Sequence, residues 1–309
     1  MNIINLILII TGLCLFETIS SVDNAIINAE VLSTMGKKAR EWFIVWGMLF
    51  AVFIIRGLLP WLIIWLSTPN ISAFDALTAS FASNQSVLWA IERAAPLLLI
   101  AGGVFLIFLF LHWLFLEPKN YGLRGEKFFH QNGVWFYAIA SIFLCLIVWQ
   151  ALKINPYLAF AAVIGSTAFF ITHGFKENAA QKEKELIQSG LSDLSKIFYL
   201  EIIDATFSID GVLGAFAFTL SVPLILIGNS LGALVVRHFT ITNIDNIKKY
   251  LFLKNGAMYS LLLLGIIMML DSFGFHIPSF VSPLVTFGVV GWFFIKSIRH
   301  NKNEFRESA

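Results

Sequence analysis

Glu17-Thr18-Ile19-Ser20-Ser21-Val22-Asp23-Asn24 lies near the start of the chain, and Asp204-Ala205-Thr206-Phe207-Ser208-Ile209-Asp210-Gly211 repeats its pattern 187 residues later. Each copy reads acid, three residues, Ser, a β-branched residue, Asp. Both copies fall inside stretches that read as membrane-spanning, so four carboxylates sit in hydrocarbon. A central charged residue costs roughly 2.5–3.5 kcal/mol on insertion scales, and four ionised acids about 10 kcal/mol. Groups that expensive persist only where something binds them.

The surrounding chain fits a bilayer. Of 309 residues 58% are hydrophobic and 13% charged, against about 25% charged in a typical soluble domain. The expected fold class is an all-α polytopic membrane protein. A net charge of +2 with dispersed bases gives no reason to expect a nucleic-acid partner. Cys14 and Cys145 lie in apolar runs and read as small buried hydrophobes. The N-terminus lacks a basic flank and a small-residue cleavage site, so the first stretch is expected to stay as a helix.

Apolar patterning predicts nine spans, at about 3–28, 41–66, 94–115, 134–152, 156–172, 197–220, 222–236, 251–270 and 277–298. A short interfacial helix is expected near 74–81, inside the polar connection 67–92. Residues 174–196 read as a solvated charged linker. All Lys and Arg except Arg56, Arg93, Lys153 and Arg237 fall in inner loops and the tail if the N-terminus is outside, which satisfies the positive-inside rule. The expected location is a bacterial cytoplasmic membrane, with the C-terminus inside.

Five spans separate the starts of the two motif helices, so those helices run in opposite directions. The correspondence continues downstream. Gly47 precedes Arg56 by nine residues, Gly228 precedes Arg237 by nine, and Gly103 and Gly265 fall in the next helix of each half. This predicts two inverted three-helix repeats plus additional helices. The units are residues 1–116, an insertion with the charged linker at 117–196, the second repeat at 197–272, and a terminal helix with basic tail at 273–309. Inverted repeats are common in secondary transporters, whose substrate sites lie at the repeat interface.

On an ideal helix Glu17, Ser21, Asn24 and Asn28 share one face, while Asp23 points about 120° away from Glu17, as Asp210 does from Asp204. Either the helices unwind near Ser20-Ser21 and Gly211, or each presents one acid to its own repeat and one across the axis. Both arrangements gather four carboxylates, with Glu201 as a fifth. Oxygen ligands of this kind suit hard divalent cations such as Mn²⁺, Mg²⁺ or Ca²⁺. Clustered carboxylates also accept protons when a metal leaves, which makes metal-for-proton exchange economical. The plainer reading of the acids is pairing with Arg56 and Arg237, but two bases cannot neutralise four acids. Arg56 and Arg237 themselves read either as helix anchors or as counter-ions and gates. His112 and His173 read as packing or hydrogen-bonding residues.

Ser21-Val22-Asp23-Asn24 after an acid, and Phe207-Ser208-Ile209-Asp210 after Glu201 and Asp204, resemble the two signature motifs of the TerC family of integral membrane proteins, in particular its larger members. The resemblance covers most of residues 10–60 and 197–270. It implies the inverted-repeat fold of the LysE-type transporter superfamily, export of manganese or related cations, and an association with tellurite resistance. By match, Glu17, Asp23 and Asn24 fill the first motif, and Glu201, Asp204, Ser208 and Asp210 the second. Gly211 departs from the pattern, standing where many relatives have Ser.

The leading expectation is thus a transporter of divalent cations, manganese foremost, exchanging them for protons. It is expected to hold no permanent cofactor and not to be an enzyme, and the sequence leaves oligomerisation open. A competing reading is an intramembrane aspartyl hydrolase in which Asp23 and Asp210 share a proton, although no Gly-x-Gly-Asp element accompanies them. A third is a membrane partner that hands metal to other proteins, for which only the 67–92 connection offers an outer surface of any length.

Overall fold

A computed structural model describes residues 2–21, 28–29, 31–47, 50, 56–68, 71–78, 85–188, 192–242 and 249–307. Among them the secondary structure is helical, with no strand. In hydrocarbon each backbone N–H and C=O must find its partner within the segment, and helices do this for apolar runs of such length. The elements are α1 (Ile3–Ser20), α2 (Lys37–Trp42, running into a π-helical turn Phe43–Gly47), α3 (Leu59–Ser67), α4 (Ala73–Thr78), α5 (Gln85–Leu116), α6 (Glu126–Gln131) and α7 (Trp135–Leu152). They continue with α8 (Pro156–Gln188), α9 (Asp193–Phe207), α10 (Ile209–Ala215), α11 (Val222–Thr242), α12 (Leu253–Ser272) and α13 (Val281–Glu307).

Among the described residues six stretches are long and apolar enough to cross a membrane: Ile3–Ser20, Trp89–Leu116, Trp135–Leu152, Pro156–Asn178, Leu253–Ser272 and Val281–Asn301. Nine were expected. Residues 48–49 and 51–55 of the predicted second span lie outside the described residues and its described end is the apolar helix Arg56–Ser67, while the predicted seventh is the shorter apolar helix Val222–Val236. The predicted sixth is split, because at Ser208 the backbone N–H and the hydroxyl both donate to the Asp204 carbonyl, at 2.9 and 2.7 Å. A hydroxyl that bonds back one turn competes with the helical ladder and ends α9 there. Of the short helix expected near 74–81, residues 74–78 are helical in α4, and 79–81 lie outside the described residues.

Of the charged segment 174–196, the residues up to Gln188 and from Asp193 on are helical, and 189–191 lie outside the described residues. α8 runs on to Gln188, and at 1.5 Å per residue its 33 residues measure about 50 Å, against about 30 Å of hydrocarbon. Its far half is rich in Ala, Glu, Lys and Gln, strong helix formers that continue the helix outside the bilayer. Cys145 also departs from expectation, being exposed on α7. A lipid-facing surface is as apolar as a core, so an apolar run does not by itself imply burial.

α5 is the central helix, with Ile100, Val104, Phe105, Leu106, Phe108 and Trp113 all buried. It meets α12 where Gly103 and Gly265 face each other: a Cβ on Gly103 would lie 2.9 Å from the Gly265 carbonyl oxygen, and one on Gly265 would lie 3.1 Å from that of Gly103. On its other side α5 packs against α8, where Gly165 abuts the Ala101 carbonyl and Phe169 meets Phe105 and Phe108 edge to face at 6.0 and 5.6 Å. α1 crosses α11 at Gly228 and Gly232, a small-xxx-small stripe that lets two backbones approach closely.

One end of the bundle is clasped by a buried carboxylate. Glu126 accepts from the backbone N–H groups of Gly122 and Leu123 at 2.7 and 3.0 Å and from Asn255 Nδ2 at 2.9 Å, tying the 117–125 loop to α12. Lys296 of α13 donates to the Gly122 carbonyl, and Lys119 donates to the Trp113 and Leu114 carbonyls that end α5. Replacing Glu126 by Ala strands three donors and is expected to cost about 2 kcal/mol, read as earlier thermal unfolding in detergent.

Candidate functional site

Glu17 lies in the last turn of α1 and is 1% exposed, so its charge is held by protein and not by water. Its Oε1 accepts from Arg56 Nε at 2.7 Å and from the Ser21 hydroxyl at 2.7 Å, and a terminal Arg56 nitrogen lies at 2.7 Å from the same oxygen. The other terminal nitrogen of Arg56 stands 3.6 Å from Asp204 Oδ2 on α9. Arg56 is 4% exposed, so one buried guanidinium joins the matching first acids of the two motif copies. Its planar fork of donors suits this bridging, which a lysine could not reproduce.

The motif helices stop at corresponding positions. α1 is capped at Ser21 (φ −93°, ψ 0°), whose N–H bonds to the Glu17 carbonyl at 3.1 Å. α9 is capped at Ser208 (φ −76°, ψ −13°), whose N–H bonds to the Asp204 carbonyl. Each cap therefore closes back on the motif's first acid. Gly211 follows on α10, where a Cβ would lie 2.8 Å from Glu17 Oε2, and Gly232 lies beneath the Glu17 Cβ. The departure at Gly211 thus makes room for the Glu17 carboxylate.

The second acid of the later copy has a different partner. Asp210 Oδ2 accepts from Lys176 of α8, and both side chains are largely buried. Their pair lines a cavity of about 590 Å³ together with His112, Glu117, His173, Glu177 and Lys254. Glu117 stands just beyond the apolar part of α5. Burial pushes its carboxyl up, but the His112 ring and the Lys254 ammonium at 3.1 Å outweigh this and hold it down at about 2.

The structure therefore brings Glu17, Ser21, Arg56 and Asp204 into one cluster, with Gly211 at its edge and Asp210 paired alongside on α10. Glu201 has its carboxylate oxygens buried and packs against Gly47. Ser208 serves as the helix cap through its hydroxyl. Asn28 is partly buried, with its side-chain oxygen inaccessible. Asp23 and Asn24 lie outside the described residues, as does the side chain of Arg237. Among the described residues no group of three or more His, Cys, Asp or Glu stands ready to hold a metal ion. The expectation that two bases would face four acids is corrected by Lys176, which the solvated-linker reading had placed in water.

Residues 22–304 match the family model described as protein of unknown function (DUF475). The chain belongs to this family. No curated protein and no solved structure matches it. The family matched is DUF475, and the likeness to TerC rests on the motif residues alone.

In this DUF475 protein the residues that sequence reasoning missed are Lys176, Lys254 and Asn229. Asn229 is fully buried on α11, between the two glycines that face α1, and its amide has no hydrogen-bond partner among the described residues. A buried amide in a span is costly enough to deserve notice from sequence alone. Lys176 gave no such signal, because it opens a run of charges.

Proposed function

We propose that this DUF475 protein is an integral membrane transporter of divalent metal cations, exporting manganese in exchange for protons across a bacterial cytoplasmic membrane, with the N-terminus outside. The observation that carries this reading is Arg56, buried between Glu17 and Asp204. Two carboxylates and one guanidinium leave a net charge of −1, whereas two carboxylates and one divalent cation are neutral. A metal and the guanidinium thus compete for one position, and Arg56 steadies the acids when the metal departs. Glu17, Asp204 and Asp210, with Asp23, Asn24 and the Ser21 and Ser208 groups, supply the hard oxygen donors manganese prefers.

The inverted three-helix repeat belongs to the same reading. Matched caps at Ser21 and Ser208 support it, as does the contact between Gly103 and Gly265, which are corresponding positions of the two halves. The pairing of Asp210 Oδ2 with Lys176 lends no support to the hydrolase alternative, whose other acid, Asp23, lies outside the described residues.

Cellular manganese tests the proposal. A strain lacking the gene and grown in excess manganese is expected to accumulate the metal. Wild type restores a low level, while Glu17→Gln and Asp204→Asn leave it as high as in the deletion. Equal complementation by all three would place the metal elsewhere.

A further inference from the structure

The cavity beside Asp210 holds two histidines that the cation site does not use. His112 of α5 and His173 of α8 lie with ring centroids 3.8 Å apart and planes inclined by 54°. Each ring has its own carboxylate: His112 Nδ1 lies 3.5 Å from Glu117 Oε1, and His173 Nε2 lies 3.4 Å from Glu177 Oε1. The other charged or titratable groups on the cavity wall are Lys176 of α8, Asp210 of α10, Lys254 of α12 and Tyr137 of α7. α1 contributes only Ile19 and Ser20.

Side-chain exposure falls from 69% at Glu177 to 22% at His173 and 10% at His112, with Asp210 at 15%. Glu117, beyond His112, is 31% exposed, so the histidines form the buried middle of a row with a more exposed carboxylate at each end. Two imidazolium rings in contact repel each other strongly where water is scarce, and Lys176 and Lys254 oppose a second positive charge further. Glu117 and Glu177 stand at the two outer edges, so a proton on either ring faces a carboxylate on one side and the other ring on the other. The pair is built to hold one proton in two places.

We propose that His112 and His173 form a proton-binding relay between the carboxylates of Glu177 and Glu117. The proton leaves a nitrogen of one ring as the other ring accepts one, so one N–H bond breaks for each that forms and the pair gains no net charge. This rests on the reading of the chain as a proton-coupled transporter.

The test uses the full chain in liposomes, with manganese as the probe and His112→Gln and His173→Gln as variants. One arm follows exchange of labelled against unlabelled manganese at equal pH on both sides. The other follows net movement driven by a pH gradient. The variants are expected to keep the exchange and to lose gradient-driven movement by about a hundredfold, as removal of a proton-transfer group does. Gradient-driven movement at the wild-type rate overturns the relay, and so does loss of both arms, which a structural role would give. If wild type itself moves no manganese, the transport reading fails, and nitrogen NMR of histidine-labelled protein decides the pair separately. One proton taken up by the two rings over roughly pH 5 to 8 supports the site, and two independent titrations overturn it.

Discussion

Replacing Arg56 by Ala is expected to be the most damaging single change in the protein. It leaves Glu17 and Asp204 buried without their shared base, and breaking a buried pair by removing one partner costs about 3–5 kcal/mol. The loss reads as a lower unfolding temperature in detergent and lower yield from the membrane. Arg56→Lys keeps the charge but not the fork, so it is expected to recover only part of the stability. Adding Glu17→Gln to Arg56→Ala removes one stranded charge and should restore stability relative to Arg56→Ala alone. That non-additivity distinguishes a coupled pair from two independent losses.

The second large effect is expected at Gly232. Even the Cβ of an Ala there would lie 2.6 Å from the Glu17 Cβ and 2.7 Å from the Cys14 carbonyl oxygen, so a larger side chain must push α1 off α11. Overpacking of this kind costs typically 1–3 kcal/mol, and Gly232→Leu is placed at about 3 kcal/mol because backbone as well as side chain stands in the way. The displaced helix carries Glu17, so the Arg56 cluster opens as well. Gly291→Leu is the control. Nothing lies within 4 Å of a Cβ at Gly291, and the change is expected to stay within about 0.5 kcal/mol of wild type. Thermal unfolding of the purified variants separates the two cases.

Much of the helix pattern was legible in the sequence where hydrophobic runs were long and flanked by polar residues. The predicted spans at 134–152 and 94–115 match α7 and the apolar part of α5 closely, because turn-forming and charged residues bound them. Corresponding acids of the duplicated motif, Glu17 and Asp204, do meet across Arg56, the contact that the plainer ion-pair reading named. Unwinding near Ser20-Ser21 and Gly211 was one of two alternatives the spacing allowed; α1 is capped at Ser21, and the six residues that follow lie outside the described residues. In the second copy the helix breaks at Ser208 and not at Gly211, because a hydroxyl that reaches back one turn competes with the helical ladder.

What the sequence hid was direction. Lys176 begins a run of alternating charges whose helical spacing is equally consistent with all of them facing water, and only its pairing with Asp210 of α10 shows that this one faces inward. His112 and His173 are far apart in the chain and carry no shared local pattern, so their contact emerges only when α5 and α8 pack. Cys145 shows the same difficulty from the lipid side, where an apolar neighbourhood in sequence is an exposed surface in the fold. Periodicity tells which positions can share a face, but not which solvent that face meets.

Flux of manganese through purified protein in sealed liposomes tests the central claim most directly. Wild type is expected to move the ion faster than protein-free liposomes, and Glu17→Gln and Asp204→Asn, if folded, are expected to fall to the protein-free rate. Manganese movement by the two variants at the wild-type rate would contradict the assignment of the Arg56-bridged acids as the cation site, and no movement by wild type would contradict transport of manganese altogether.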